Sequence, residues 1–225
     1  MLLRGEAGPA GEWVREWRAP RVLLYIAIIV AGAGLFGAAI GCWRAPLQGL
    51  YSAVKFPLVV LLTALGNALL NSMLAPLLGL NLGLRQTLLA VLMSFTIAAA
   101  ILGAFSPLMF FVVWNTPPLE PGASISTTAH SFILLTEVGI IALAGIAANL
   151  RLLQLLQSLS GSVAVARCVV FAWLAVNLLL GSQLSWNLRP FVGSPYLPVE
   201  FLRTDAFSGS FFESILHAVT RLFFS

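Results

Sequence analysis

Few side chains in this 225-residue chain are both chemically capable and placed inside apolar sequence, and they fall in patterns. Glu137 is the one ionisable residue well inside a long apolar run, 131–150. A charge at mid-bilayer depth costs about 2.5–3.5 kcal/mol on the insertion scale, so such a residue usually faces its own bundle. It then serves either a structural hydrogen bond or a polar ligand or proton path. Thr63, Asn67 and Asn71 are spaced i, i+4, i+8, one continuous polar stripe on a helix. Asn177 lies in the middle of a later apolar run, Asn149 near the end of the Glu137 run, and Gln183 close to a membrane exit. Amides of this kind commonly bond between helices, each contributing less than about 2 kcal/mol. Interhelical bonding is the plainer role. The sharper one is an intramembrane polar site made of Glu137, Thr63, Asn67, Asn71, Asn177 and Gln183, with Thr63, Ser106, Glu137 and Gln183 at similar depth.

Other chemistry finds little support. Gly32, Gly34 and Gly37 form a nominal GxGxxG, but no strand precedes it and no amphipathic helix follows, as a dinucleotide site requires. The same region contains Gly37-x-x-x-Gly41, a small-residue face suited to close helix approach, which predicts self-association or contact with other membrane proteins. No P-loop, His-Glu-x-x-His or nucleophile elbow occurs. Ser124 of "GAS" and His130 lie on a loop rather than a span, too little for a serine–histidine pair. His130, Asp205, His217 and Glu120 share one face of the predicted topology, but no pair has metal-ligand spacing. We therefore assign no catalytic, cofactor or metal residue.

The elements that position these residues are hydrophobic spans. Charged residues are 9% of the chain, against about 25% in a soluble domain, and hydrophobic residues are 60%. The pattern predicts an all-α, polytopic transmembrane bundle of about five spans, each near the length that crosses a bilayer. They fall near 22–43, 56–79, 87–114, 131–150 and 166–186, within a bundle covering 22–186. Pro107 is expected to kink the third, with Ser106 among the groups that satisfy the freed backbone. The fourth is expected to continue through "RLLQLLQSLS" to Gly161. Residues 1–21 form an interfacial segment whose Trp13 and Trp17 share one helical face. Residues 187–225 form a tail ending in an amphipathic helix, 210–224, opened by a Ser210–Glu213 capping box. "AIGC", 39–42, only loosely resembles a lipoprotein cleavage site, and the first span is expected to remain uncleaved.

Arg21, Arg44, Lys55, Arg85, Arg151, Arg167 and Arg189 stand singly at expected segment ends, which is anchoring and not nucleic-acid binding. Seven basic residues on one side and five on the other favour an inside N-terminus and an outside C-terminus. Cys42 and Cys168 then lie at opposite faces, too far apart for a disulfide.

"GSQLSWNLRPFVGSPYLP", 181–198, closes the last span. Trp186 belongs at headgroup level, Arg189 near phosphates or the last helix carbonyls, and the prolines turn the chain along the surface. Gln183 and Asn187, spaced i, i+4, complete a candidate membrane-exit collar with Trp186 and Arg189. This stretch, with "EFLR" at 200–203 and "FFESI" at 211–215, resembles the C-terminal signature of a group of bacterial multi-span membrane proteins. The positions that match are Gly181, Ser182, Gln183, Trp186, Leu188, Arg189, Pro190, Phe191 and Gly193. That group carries no established activity, and the resemblance implies a bacterial inner-membrane location. In layout, 61–160 is similar to Yip-type membrane domains, which implies membrane organisation or the company of transporters. The leading expectation is a non-enzymatic membrane subunit or scaffold. The alternative is a small transporter or ligand-binding protein with a polar pocket around Glu137, and a membrane-embedded enzyme comes third.

Overall fold

The computed structural model describes residues 16–117, 124–193 and 198–213, with 124–128 as backbone only. Its architecture is five long helices: α1 (Ala19–Gly41), α2 (Pro46–Leu77), α3 (Leu84–Asn115), α4 (Ser124–Ser160) and α5 (Val163–Leu188). All five are long and apolar enough to cross a membrane. Their outward faces carry large apolar side chains, among them Leu24, Leu35, Leu69, Leu135, Ile146, Phe171 and Leu178. In water that surface would drive aggregation, and in a bilayer it meets lipid. The chain is an all-α, multi-pass membrane protein. The N-terminal helix face of Trp13 and most of the tail helix 210–224 lie outside the described residues, as do Glu120 and His217. Ser124 is described in its backbone only.

Contacts between connections define the two ends of the bundle. At one end, Trp43 Nε1 donates to the Pro117 carbonyl at 3.2 Å and its ring lies 5.6 Å from that of His130. At the same end, Gln48 at the start of α2 bonds to Pro190 just beyond α5. We call this the tail face. At the opposite end the α2–α3 link at Gly79 approaches Val165 of α5. The helices therefore run up and down in sequence order. α1 packs tightly on α2 and α3, because small residues let backbones meet. A methyl group at Gly103 would lie 2.9 Å from the Gly32 Cα, and one at Gly41 would lie 2.6 Å from the Gln48 carbonyl oxygen.

Three expectations are revised. The Gly37 and Gly41 face is taken up inside the chain, against Ser52, Phe56 and Gln48 of α2, so it is not available for self-association or another protein. The supposed connection 44–55 is mostly helix: Pro46 occupies the first turn of α2, where its fixed φ and missing N–H are no burden. Lys55 is consequently in the third turn of α2 and fully buried, not an anchor at a segment end. His130, placed on a loop by the sequence pattern, is in the second turn of α4. Pro107 sits within α3, and Ser106 donates to Leu102 O at 3.0 Å, one residue away from the Gly103 carbonyl that the proline leaves free. α4 does run on through "RLLQLLQSLS" to Ser160, where Gly161 at φ 65° ends it.

Candidate functional site

Where the chain leaves α5 it turns back on α2 and meets a cluster of polar side chains. The Arg189–Pro190 peptide is cis, and the next residues press inward rather than along the surface: Val192 is 3% exposed. Three donors on one face of α2 receive them. Gln48 Nε2 donates to the Pro190 and Phe191 carbonyls at 2.9 and 3.0 Å, Ser52 Oγ donates to the Phe191 carbonyl, and Lys55 Nζ donates to the Pro190 carbonyl at 3.2 Å. Lys55 also lies 5.2 Å from the centroid of the Phe201 ring, whose negative face suits an ammonium. Gly193 completes the turn at φ 94°, a conformation open to glycine, and a side chain there would strike Arg44.

These donors were hidden from sequence reasoning by the assumption that Lys55 marks a helix end. The signal was present: Gln48, Ser52 and Lys55 fall at i, i+4, i+7, and the same face continues to Thr63, Asn67 and Asn71. A polar stripe longer than a bilayer half is hard to explain by interhelical bonding alone.

The expected collar is built differently from the sequence picture. Gln183 Nε2 donates to Asn187 Oδ1 at 3.1 Å, and Gln183 Oε1 accepts from the Phe211 backbone N–H at 3.3 Å. That face therefore looks neither into the bundle nor out to lipid but under the tail. Trp186 Nε1 donates to the Ser208 carbonyl at 3.4 Å. Arg189 stacks 3.7 Å from the Trp186 ring centroid, donates to the Trp186 carbonyl at 2.7 Å and reaches Asp205 at 3.3 Å. Gln183, Trp186 and Arg189 fasten the tail, and Asn187 holds the Gln183 amide.

The cavities among the described residues do not bring the six candidate intramembrane residues together. Asn67 and Asn177 line a mostly apolar crevice of about 190 Å³ with Asn149, Phe95 and Trp173. Asn67 accepts from Asn71 on its own helix, and Asn149 donates back to Gly145. Thr63 lies beside Gly181, and Gln183 is held by the tail. Glu137 stands apart from all of them. It is 8% exposed and opens on a separate cavity of about 380 Å³ at the tail face, lined with His130, Leu134, Pro190, Phe191, Val192, Gly193 and Arg203. Among the described residues Glu137 makes no hydrogen bond or ion pair. The tail segment that α2 holds is thus one wall of the Glu137 cavity, and that wall brings Arg203 to it. Among the described residues no three His, Cys, Asp or Glu side chains gather as a metal site would require.

Fold and site together define an integral membrane protein with an ordered tail-face cap and a carboxylate beneath it. No family model matches this chain, and neither a curated protein nor a solved structure matches it.

Proposed function

We propose that this chain is a non-enzymatic, multi-pass membrane protein that binds a small polar ligand in the Glu137 cavity. The observation that carries the proposal is Glu137, a residue 8% exposed and without a partner among the described residues, at the wall of a cavity that opens at one membrane face. An acid set among apolar helices is costly unless water, a partner or a ligand satisfies it, and intramembrane acids tend to mark ligand or ion paths. The scaffold, the leading expectation from the sequence, loses support where the Gly37–Gly41 docking face is consumed by α2. The resemblance of the 181–193 stretch supports a bacterial inner membrane, and the basic-residue count favours placing the tail face outside.

The test is native mass spectrometry of the intact chain released from mild detergent. Wild type should carry a small-molecule adduct that Glu137→Gln loses while expressing and melting normally. Equal spectra for the two proteins, with partner chains at fixed stoichiometry, would return the scaffold to first place. A cysteine at Ser208 should label from outside the cell, and labelling only from the cytoplasm reverses the orientation.

A further inference from the structure

We propose that the ligand of the Glu137 cavity is a zwitterion, a primary ammonium joined by a short linker to a phosphate or carboxylate. This rests on the cavity being a binding site, as above. An acid, Glu137, and a base, Arg203, line the same cavity, yet they form no ion pair with each other or with any other described residue. In a partly apolar cavity opposite charges attract and would approach one another if free to do so. They are kept apart because each belongs to its own element. Glu137 is fixed on α4, and Arg203 rides on the tail behind Pro190, Phe191 and Val192, which Gln48, Ser52 and Lys55 hold in place.

The remaining walls narrow the chemistry. A simple anion would meet the carboxylate of Glu137. A simple cation would meet Arg203, with the buried Lys55 close behind at the Phe201 ring. A molecule carrying both charges satisfies both ends. Its ammonium donates hydrogen bonds to the Glu137 carboxylate, and its anionic group accepts from the Arg203 guanidinium. A quaternary ammonium has no N–H to donate, so a primary amine is preferred over choline. Leu134, Pro190, Phe191 and Val192 offer apolar contact to the linker. This chemistry is shared by the phosphoethanolamine headgroup of a lipid and by free amino acids.

The experiment uses the full chain in nanodiscs of phosphatidylcholine doped in turn with phosphatidylethanolamine, phosphatidylglycerol or a long-chain alkylamine. Lipid retained on release is read by native mass spectrometry, and soluble phosphoethanolamine and alanine are titrated in parallel by calorimetry. Retention of phosphatidylethanolamine should exceed that of the other three by about tenfold, and Glu137→Gln and Arg203→Gln should each remove that preference. Arg203→Lys, which keeps the charge, should restore part of it. Binding of the soluble zwitterions without any lipid preference, again lost in both variants, assigns the site to a free metabolite and upholds the proposal. Retention of phosphatidylglycerol sensitive only to Arg203→Gln, or of the alkylamine sensitive only to Glu137→Gln, overturns the zwitterion while the cavity remains a binding site. No retention or heat with any probe, together with identical adduct spectra for wild type and Glu137→Gln, overturns both.

Discussion

The two halves of the α2 polar face behave differently. In the half near the tail face, Gln48, Ser52 and Lys55 donate across space to backbone carbonyls of residues more than a hundred positions away. In the other half, Asn67 and Asn71 bond to each other on the same helix, and Thr63 Oγ1 has no partner among the described residues. The difference follows from what each half faces. A turn that has left regular structure presents free carbonyls, which single out one arrangement of donors. Neighbouring helices have already spent their carbonyls, so amides facing them are left to bond within their own helix. The first half therefore specifies where the tail goes, and the second fills an interior.

The sharpest way to break this contrast is steric. Gly41→Val drives a side chain into the Gln48 backbone and the Ser52 hydroxyl, 2.6 and 2.8 Å from the added Cβ. It should destabilise the protein by about 3 kcal/mol in a reversible detergent-unfolding titration. Gly66→Ala, in the other half, meets only the flexible end of Leu180 at 2.9 Å. Its net effect should stay within about 1 kcal/mol of zero, since the leucine can turn aside and alanine is the better helix former. Equal losses for the two would mean that the halves are packed alike.

Next in size is removal of the donors themselves. Gln48→Leu leaves the Pro190 and Phe191 carbonyls short of a buried partner, a cost of about 1–3 kcal/mol. The penalty should appear as local opening of the tail. A thiol reporter at Val192, 3% exposed in the native fold, should label about tenfold faster in the Gln48→Leu background. Lys55→Met should act in the same direction. Unchanged labelling in both would show that the apolar contacts of Val192, and not the hydrogen bonds, hold the segment.

Much of the bundle was legible in the sequence because bilayer physics writes it there: long uncharged runs give helices, and Gly161 and the tail-face prolines interrupt them. The early start of α2 was hidden for a related reason. Charges delimit the apolar runs, so Lys55 reads as an end, although Pro46 nine residues earlier carries the actual start signal. Glu137 could be singled out from the sequence because an acid in an apolar run is rare. Its cavity could not, because the other wall comes from Phe191 and Arg203, more than fifty residues later, through a turn that no periodicity describes. Whether the polar faces converge is not legible for the same reason: i, i+4 spacing says that Asn67 and Asn71 share a face, not what that face meets.

Replacing both members of the amide pair sharpens the comparison further. Asn67→Leu with Asn71→Leu removes donor and acceptor together, which leaves no orphan on either side. The double variant should unfold within about 1 kcal/mol of wild type. A loss as large as that of Gln48→Leu would mean that this half also reaches a distant partner.

The smallest effect belongs to the outermost fastening of the tail. Asp205→Asn removes the carboxylate that meets Arg189 at 3.3 Å, and the Asp205 side chain is 58% exposed. Water screens such a pair, so its loss should cost less than about 1 kcal/mol. Arg189 keeps its bond to the Trp186 carbonyl and its stack on the Trp186 ring, neither of which needs the acid. Labelling at the Val192 reporter should therefore stay near the wild-type rate in Asp205→Asn while rising in Gln48→Leu. If Asp205→Asn instead opened the segment as far as Gln48→Leu does, the surface ion pair would be what holds the tail, and the buried carbonyl bonds of α2 would be its consequence.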